Sequence, residues 1–336
     1  MCIRDSVRLI STPEEAVAGT TAYLTICFIG IPCITAYNVL ASIFRGMGDS
    51  RSPMYFIAAA CVVNIGLDFF FMGALRLGPA GAALGTTLSQ AVSVLLALCV
   101  ILKRKSIRLS KSDFCPRKAT MKDILSIGLP VAAQDGFIQV SFMLITIMAN
   151  QRGLTDAAAV GIVEKIISFL FLVPSSMLST VSALGAQNIG AGKYDRTDDI
   201  LRYAIAIGVG FGAVMALLMQ FIAPSMVRPF TSDEAVVLAG AAYIRSYIFD
   251  CLFAGIQFSF SGYFCAWGRS GLSFLHNTLS ILLVRVPGAW LACRFFPQTL
   301  VPMGLAPACG SLFSSIVCVL LYRWMKRQNK PTGDKD

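Results

Sequence analysis

Residues 37–71 read YNVLASIFRGMGDSRSPMYFIAAACVVNIGLDFFF, and this stretch decides the fold. Two apolar segments flank the turn RGMGD at residues 45–49, and Asn64 and Asp68 lie deep in the second segment. Residues four apart share one face of a helix. A carboxylate within an apolar helix is costly to bury alone. We therefore expect the Asn64–Asp68 face to meet a cavity or a polar partner.

The remainder of the chain is equally apolar. Of its 336 residues, 56% are hydrophobic and only 14% are charged, and the mean hydropathy is +0.71. Globular domains carry about 25% charged residues. The apolar residues occur in blocks close to the ~20 residues that a helix needs to cross a bilayer. The sequence predicts an all-α polytopic membrane protein.

Nine apolar segments are predicted to span the membrane. Lysine and arginine gather in alternate connections between them, which is typical of cytoplasmic loops. The net charge of +10 is thereby explained without nucleic acid. We expect a multi-pass membrane protein with its C-terminus in the cytoplasm. The predicted spans are 20–43, 54–74, 80–102, 124–149, 157–184, 201–223, 236–262, 273–293 and 303–325.

The sequence repeats itself at an offset of about 220 residues. EEAVAGTTAYL at 14–24 recurs as DEAVVLAGAAYI at 233–244 with one insertion. Gly48 falls opposite Gly268 at an offset of 220, and Pro79 falls opposite Pro302 at an offset of 223. One repeat unit covers six predicted spans. Because six is an even number, both units have the same orientation in the membrane, which is a parallel repeat.

The repeat predicts the domain boundaries. The second unit is whole, and the first supplies only its last three spans, so we expect three further spans before Val7 in the complete protein. The opening MCIRDS resembles adaptor sequence and is excluded from the fold. The predicted segments are 1–6 (non-native), 7–105 (three helices of the first bundle), 106–121 (basic cytoplasmic linker), 122–325 (second six-helix bundle) and 326–336 (cytoplasmic tail).

Four motifs occur in an order that resembles a known family. They are the RGMGD turn, Asn64-x-x-x-Asp68, GAA at 81–83 and AQNIGAG at 186–192. In this order they resemble the multidrug and toxic compound extrusion (MATE) family, with the bacterial DinF-like branch as the nearest type. The resemblance implies a six-plus-six helix transporter, here without its first three helices. It also implies that the 336-residue chain alone would not transport.

The resemblance further implies a function. Family members export cationic or amphipathic compounds in exchange for Na⁺ or H⁺, as monomers, without a cofactor and without enzymatic activity. Asn64 and Asp68 would then form the ion-coupling site. Asn38, in the preceding span, could complete that site or could instead make an interhelical hydrogen bond. The carboxylate could exchange a proton, or bind Na⁺ together with an amide oxygen. The alternative is a hydrogen-bonded pair that only joins helices.

Other polar residues within spans are candidates for a substrate cavity. Gln134 and Asp135 lie in the first span of the second unit, and Asp250 could form a polar cluster with Arg245 and Gln257. Each could instead make a structural contact between helices.

Three further charged residues lie inside predicted spans, namely Glu164, Lys165 and Arg285. Glu164 and Lys165 are adjacent and do not face each other on a helix, so each needs another partner. Lys165 could pair with Asp135, and Arg285 is expected to pair with an acid or to mark an interface.

Two other functions compete with drug export. A flippase for lipid-linked precursors, from the same superfamily, would need a strongly basic cavity, and intramembrane bases are few here. An integral-membrane transferase would need clustered acids or histidines at the membrane surface. The chain has one histidine and no CxxC pair among its 11 cysteines, so neither that chemistry nor a metal site is expected.

Overall fold

The computed structural model describes residues 14–104 and 117–328, and within these ranges every regular element is a helix. The all-α prediction is confirmed. The chain divides into two compact units, Met1–Cys115 and Pro116–Asp336, hereafter the first and second units. The division falls inside the basic segment 106–121.

The described part of the first unit contains three helices. Helix α3 packs against both α1 and α2. At one end of this bundle the Tyr37 hydroxyl donates a hydrogen bond to the Pro53 carbonyl at 3.0 Å, joining α1 to α2. The helices are α1 (Glu14–Gly46), α2 (Arg51–Asp68, continued by the π-helical turn Phe69–Ala74) and α3 (Gly78–Arg104).

The second unit is built around α9, which packs against α6, α7 and α12. Its helices are α4 (Lys118–Asn150), α5 (Leu154–Leu170), α6 (Leu172–Gly190), α7 (Tyr194–Val227, followed by the 3₁₀ turn Arg228–Phe230), α8 (Glu234–Tyr247), α9 (Phe249–Ala266), α10 (Ser270–Ser280, continued by the π-helical turn Ile281–Arg285), α11 (Val286–Phe295) and α12 (Val301–Gln328).

The helices match the predicted membrane spans. In the described part of the chain, eight helical segments are long and apolar enough to cross a bilayer. The pair α5 and α6, bent by 40° at its junction, adds a ninth if it crosses as one span. Helices are favoured there because each backbone amide is satisfied within its own segment.

Two turns support the internal repeat. Gly48 and Gly268 have φ values of +86° and +69°, a backbone conformation that glycine adopts without steric cost. In each turn the glycine amide donates to the carbonyl three residues earlier, and the next amide donates to the carbonyl five residues earlier, at 2.9–3.0 Å. The same turn therefore recurs 220 residues apart.

Helices α7 and α9 are in direct backbone contact. A Cβ atom added to Gly208 would lie 2.8 Å from the Gly255 Cα, and one added to Gly212 would lie 2.6 Å from the Leu252 Cα. Small residues allow such close approach between membrane helices. Glycine at 208 and 212 thus sets the separation of α7 and α9.

Arg152 connects the α4–α5 turn to the α11–α12 loop. Its Nε atom pairs with Asp156 at 2.7 Å. Its terminal nitrogens donate to the backbone carbonyls of Phe296, Pro297 and Thr299 at 3.0–3.1 Å. The planar guanidinium can satisfy all these acceptors at once.

Asp198 joins three helices at the opposite end of the second unit. It accepts hydrogen bonds from the hydroxyls of Tyr263 (3.0 Å) and Tyr322 (3.3 Å) and forms an ion pair with Lys326. These contacts tie the start of α7 to the ends of α9 and α12.

Candidate functional site

Asn64 and Asp68 point from α2 towards α3. A Cβ atom added to Gly85 of α3 would overlap Asp68 Oδ1 and would lie 3.5 Å from Asn64 Nδ2. Both side chains therefore occupy the interface between these helices, where only a glycine leaves them room.

Two polar atoms at this interface have no hydrogen-bond partner among the residues that the structure describes. Asp68 Oδ1 and Asn64 Nδ2 are both buried, and neither is paired. Leaving a buried polar group unpaired costs about 1–3 kcal/mol, and more for a charged group. Such groups are few in native proteins. The pair therefore offers a carboxylate oxygen that a cation could bind inside an enclosed interface.

Tyr23 of α1 lies near the same site. Its hydroxyl interacts with Cys27 one turn further along and lies within electrostatic range of Asp68, while its side chain is 37% exposed. Sequence reasoning missed Tyr23, although the repeat places it opposite Tyr243. Helix α1 thus reaches the edge of a site that lies between α2 and α3.

Asn38 does not lie beside this pair, so the prediction that it completes the site is wrong for this structure. Its side chain is exposed and donates to the Ile34 carbonyl of its own helix at 2.9 Å. Asn38 is 15 residues from Tyr23, or roughly 22 Å along α1 at 1.5 Å per residue. The neighbouring Tyr37 contacts Pro53, near the opposite end of α2 from Asp68.

The α-helix changes to a π-helix directly after Asp68. The segment Phe69–Ala74 makes this wider turn before the chain reverses into α3. π-Helical turns are rare and occur frequently at functional sites. The carboxylate is thus held at a junction between two helix types.

Gln134 holds α4 to α10. It is 1% exposed, and its Oε1 atom accepts a hydrogen bond from the Ser273 hydroxyl at 2.7 Å. In this structure Gln134 therefore makes a structural contact between helices, and its role in a substrate cavity stays a prediction. Its neighbour Asp135 lies on the exposed side of α4, near the middle of the helix.

Asp250 and Gln257 share a partner in the core of the second unit. The Gln257 amide donates to the Ser311 hydroxyl at 3.0 Å, and Ser311 also lies beside the Asp250 carboxylate. Both residues are buried, at 7% and 1% exposure for Gln257 and Asp250. The predicted clustering of these two residues is present, but not on an open surface. Arg245 is exposed, and the buried base near Asp250 is Arg285.

The other intramembrane charges have separate environments. Glu164 is half-buried and accepts a hydrogen bond from the Thr146 hydroxyl at 3.1 Å. Lys165 is exposed. Both Lys165 and Asp135 lie in the described ranges, and no ion pair joins them, so the pairing considered from the sequence is absent.

Comparison with known proteins identifies the chain's family. The family model described as MatE matches residues 1–70 and 130–291. The chain belongs to the MatE family. A relative, the probable multidrug resistance protein YpnP of Bacillus subtilis (strain 168), is 30% identical over 321 residues, which cover 95% of this chain and 71% of YpnP. The multidrug export protein MepA of Staphylococcus aureus (strain NCTC 8325 / PS 47) is 27% identical over 266 residues, covering 78% of this chain and 58% of MepA.

Solved structures of MatE proteins have the same fold. One, described as an outward-facing conformation of a multidrug resistance MATE family transporter of the MOP superfamily, gives a TM-score of 0.90 at 21% identity. That match covers 97% of this chain and 74% of the solved one. Family membership makes the chain a multi-pass membrane transporter and excludes the transferase alternative. The DinF-like branch stays a prediction.

Proposed function

We propose that this MatE protein exports cationic or amphipathic compounds by antiport with Na⁺ or H⁺, and that Asp68 carries the coupling ion. Family membership and the drug-export names of YpnP and MepA support the substrate class. The unpaired Asp68 Oδ1 atom between α2 and α3 supports the coupling role. That atom is the observation on which the proposal depends most.

A bound cation would relieve an electrostatic cost at this site. An ionised carboxylate held away from water without a partner is strongly disfavoured. A proton on Asp68 would remove its charge, whereas Na⁺ would take oxygen ligands from Asp68 and Asn64, as hard cations do. In either case, release of the proton or of Na⁺ would again leave a buried, ionised carboxylate without a partner.

This dependence can couple ion binding to transport. A ligand shifts a conformational equilibrium only by the difference in its affinity for the two states. The geometry of Asp68 depends on how closely α3 packs against α2, so movement between these helices would change the affinity of the ion. The π-helical turn after Asp68 is suited to permit such movement.

Asp135 is the proposed substrate-attracting acid. It is exposed near the middle of α4. A carboxylate at that depth is expensive to place against lipid and is expected to meet water or a counter-ion. A cationic substrate would supply that counter-ion. Because Gln134, Asp250 and Gln257 are buried, Asp135 is the predicted substrate residue that remains open to a ligand.

The proposed orientation and assembly follow from charge and family. We place the C-terminus in the cytoplasm of a bacterium, because the basic connections would then lie inside. We propose that the protein acts as a monomer.

Efflux of a cationic dye from proteoliposomes tests the function. The protein is reconstituted with ethidium inside, and a Na⁺ or an H⁺ gradient is imposed in separate samples. We expect one of the two inward gradients to accelerate ethidium exit, with the acceleration lost when an ionophore collapses that gradient. Dye exit at the same rate with and without either gradient would overturn the antiport proposal.

A single methyl group at Gly85 should impair coupling. In Gly85→Ala the added carbon overlaps Asp68 Oδ1, so the carboxylate must leave its position. We expect gradient-driven efflux to fall several-fold in proteoliposomes. Gly66→Ala is the matched control, since Gly66 lies on α2 between Asn64 and Asp68 with nothing within 4 Å of its added carbon. Equal efflux by the two variants would show that the Gly85 contact does not matter.

A further inference from the structure

A buried charge in the second unit lacks a role in the proposed function. Arg285, at the end of the π-helical turn that follows α10, is 9% exposed. One terminal nitrogen donates to the Tyr247 hydroxyl at 2.9 Å, and the guanidinium lies 4.7 Å from the centre of the Phe142 ring. Its Cβ atom packs against Gly310 of α12. The guanidinium is therefore fixed in the core of the unit.

Two acidic side chains lie near the Arg285 guanidinium. Asp250, fully buried on α9, and Glu164, half-buried on α5, both lie within electrostatic range of Arg285. Tyr243 and Tyr247 of α8 complete the set of titratable groups facing it. In the described part of the chain no ion pair within 4.0 Å joins Arg285 to either acid, so the guanidinium acts on Asp250 and Glu164 as a nearby buried charge.

The pairing in this cluster is incomplete. Within residues 14–104 and 117–328, three buried atoms of this cluster have no hydrogen-bond partner: Asp250 Oδ1, the Tyr243 hydroxyl oxygen and Arg285 Nε. A well-packed apolar core of similar volume is often as stable as a buried ion pair or more so. Packing alone therefore gives no reason for placing these charges here.

The repeat relates this cluster to the Asp68 site. At the offset of 220, Asn64 falls opposite Val284, the residue before Arg285, and both lie on helices that contain a π-helical turn. The polar residues of both helices also pack against a glycine of the last helix of their unit, Gly85 or Gly310. At the same offset three α1 residues, Tyr23, Cys27 and Gly30, fall opposite Tyr243, Tyr247 and Asp250.

We propose that the Arg285 guanidinium is a tethered cation that compensates Asp250 in the core of the second unit, as an exchangeable ion is proposed to compensate Asp68 in the first. The comparison rests on the proposed function of Asp68. Its consequence is that the second unit of this chain binds no exchangeable Na⁺, because a covalently attached cation already compensates Asp250. Removing the guanidinium would leave carboxylate and hydroxyl oxygens, the ligands that Na⁺ takes.

Na⁺ binding to the purified protein tests this inference. All measurements are made in an Asp68→Asn background, which removes the site in the first unit. We expect no bound Na⁺ in Asp68→Asn itself and about one Na⁺ per chain after Arg285→Met is added, because the freed oxygens form a cation site. Arg285→Lys retains a tethered cation and should bind none. Adding Asp250→Asn to the Arg285→Met variant should abolish the new binding.

Two results would overturn the inference. One is a folded Asp68→Asn/Arg285→Met protein that binds no Na⁺. The other is Na⁺ binding by Asp68→Asn that disappears when Asp250→Asn is added, because the second unit would then bind the ion despite Arg285. The proposed function is judged separately, by efflux through the Asp68→Asn variant.

Thermal unfolding provides a second measurement that does not depend on a well-folded Arg285→Met variant. Asp250→Asn and Arg285→Met each leave one buried charge uncompensated, so each should lower the melting temperature. The double variant removes both charges and should melt at a higher temperature than either single variant. If the two losses simply add in the double variant, Arg285 does not compensate Asp250, and the inference fails.

Discussion

Asp68→Asn is expected to abolish ion-driven drug export while leaving the protein in the membrane. Asparagine matches the shape of aspartate but cannot ionise, so it can neither exchange a proton nor neutralise Na⁺. Coupling free energies are typically about 1–3 kcal/mol, so we expect gradient-driven ethidium efflux from cells to fall about 5- to 150-fold. The measurement is dye efflux from a drug-sensitive strain that expresses the protein, normalised to the amount of protein in the membrane.

The matched control for this variant is Asp135→Asn. Asp135 is also an intramembrane acid, but it lies on α4 and is proposed to attract substrate. The Asp135→Asn substitution should change the concentration of dye needed for half-maximal efflux, and efflux should still depend on the ion gradient. Wild-type efflux by Asp68→Asn, at equal expression, would remove Asp68 from the mechanism.

Gly208→Leu is expected to prevent stable folding of the second unit. The Cβ atom alone would lie 2.8 Å from the Gly255 Cα and 3.3 Å from its carbonyl carbon, and backbone atoms cannot move aside as a side chain can. Overpacking a core costs typically about 1–3 kcal/mol, and direct collision with a backbone should reach or exceed the upper end. A large loss of monodisperse protein after detergent extraction, seen by size-exclusion chromatography, is the expected result.

Gly210→Leu is the control for this prediction, because Gly210 is on the same helix and nothing lies within 4 Å of its added carbon. Leucine is favoured over glycine in a helix by roughly 0.5–1 kcal/mol, so this variant should fold at least as well as the wild type. Equal yields of the two variants would show that α7 and α9 do not require the close contact.

The fold could be predicted from the sequence because its main determinants are local or repeated. The apolar blocks predict helices that span a bilayer, and the described helices match them. The sequence alone places Gly48 and Gly268 at an offset of 220, and in the structure both glycines have a positive φ. The bend between α5 and α6 was not predicted, since residues 157–184 were taken as one span and its change of direction depends on packing.

The Asn64–Asp68 pair could be predicted for a similar reason. Spacing of four residues fixes a shared helical face, and the cost of an isolated carboxylate predicts that this face is turned inward. The distance of Asn38 from Asp68 along the helices could not be predicted. It depends on how α1 and α2 align, and no local sequence pattern specifies that alignment. Tyr23 was missed since a tyrosine in an apolar span has many structural uses.

The substrate residues were the least predictable part of the site. Gln134 and Gln257 are as polar as a ligand-binding amide, yet each is hydrogen-bonded to a serine on another helix. Whether an amide meets a ligand or a serine depends on the rotation of its helix about its axis. For Asp250 the sequence suggested Arg245 as the partner because it is near in the chain, whereas the buried base, Arg285, comes from α10's π-helical turn.

Simultaneous measurement of ion and dye flux in the same proteoliposomes tests the central claim most directly. With the wild-type protein, outward movement of ethidium should be accompanied by inward movement of the coupling ion, detected as ²²Na⁺ uptake or as acidification of the lumen. With Asp68→Asn, the dye-dependent ion flux should fall to the level of protein-free vesicles. Dye-dependent ion entry of wild-type size through Asp68→Asn would contradict the assignment of Asp68 as the coupling carboxylate.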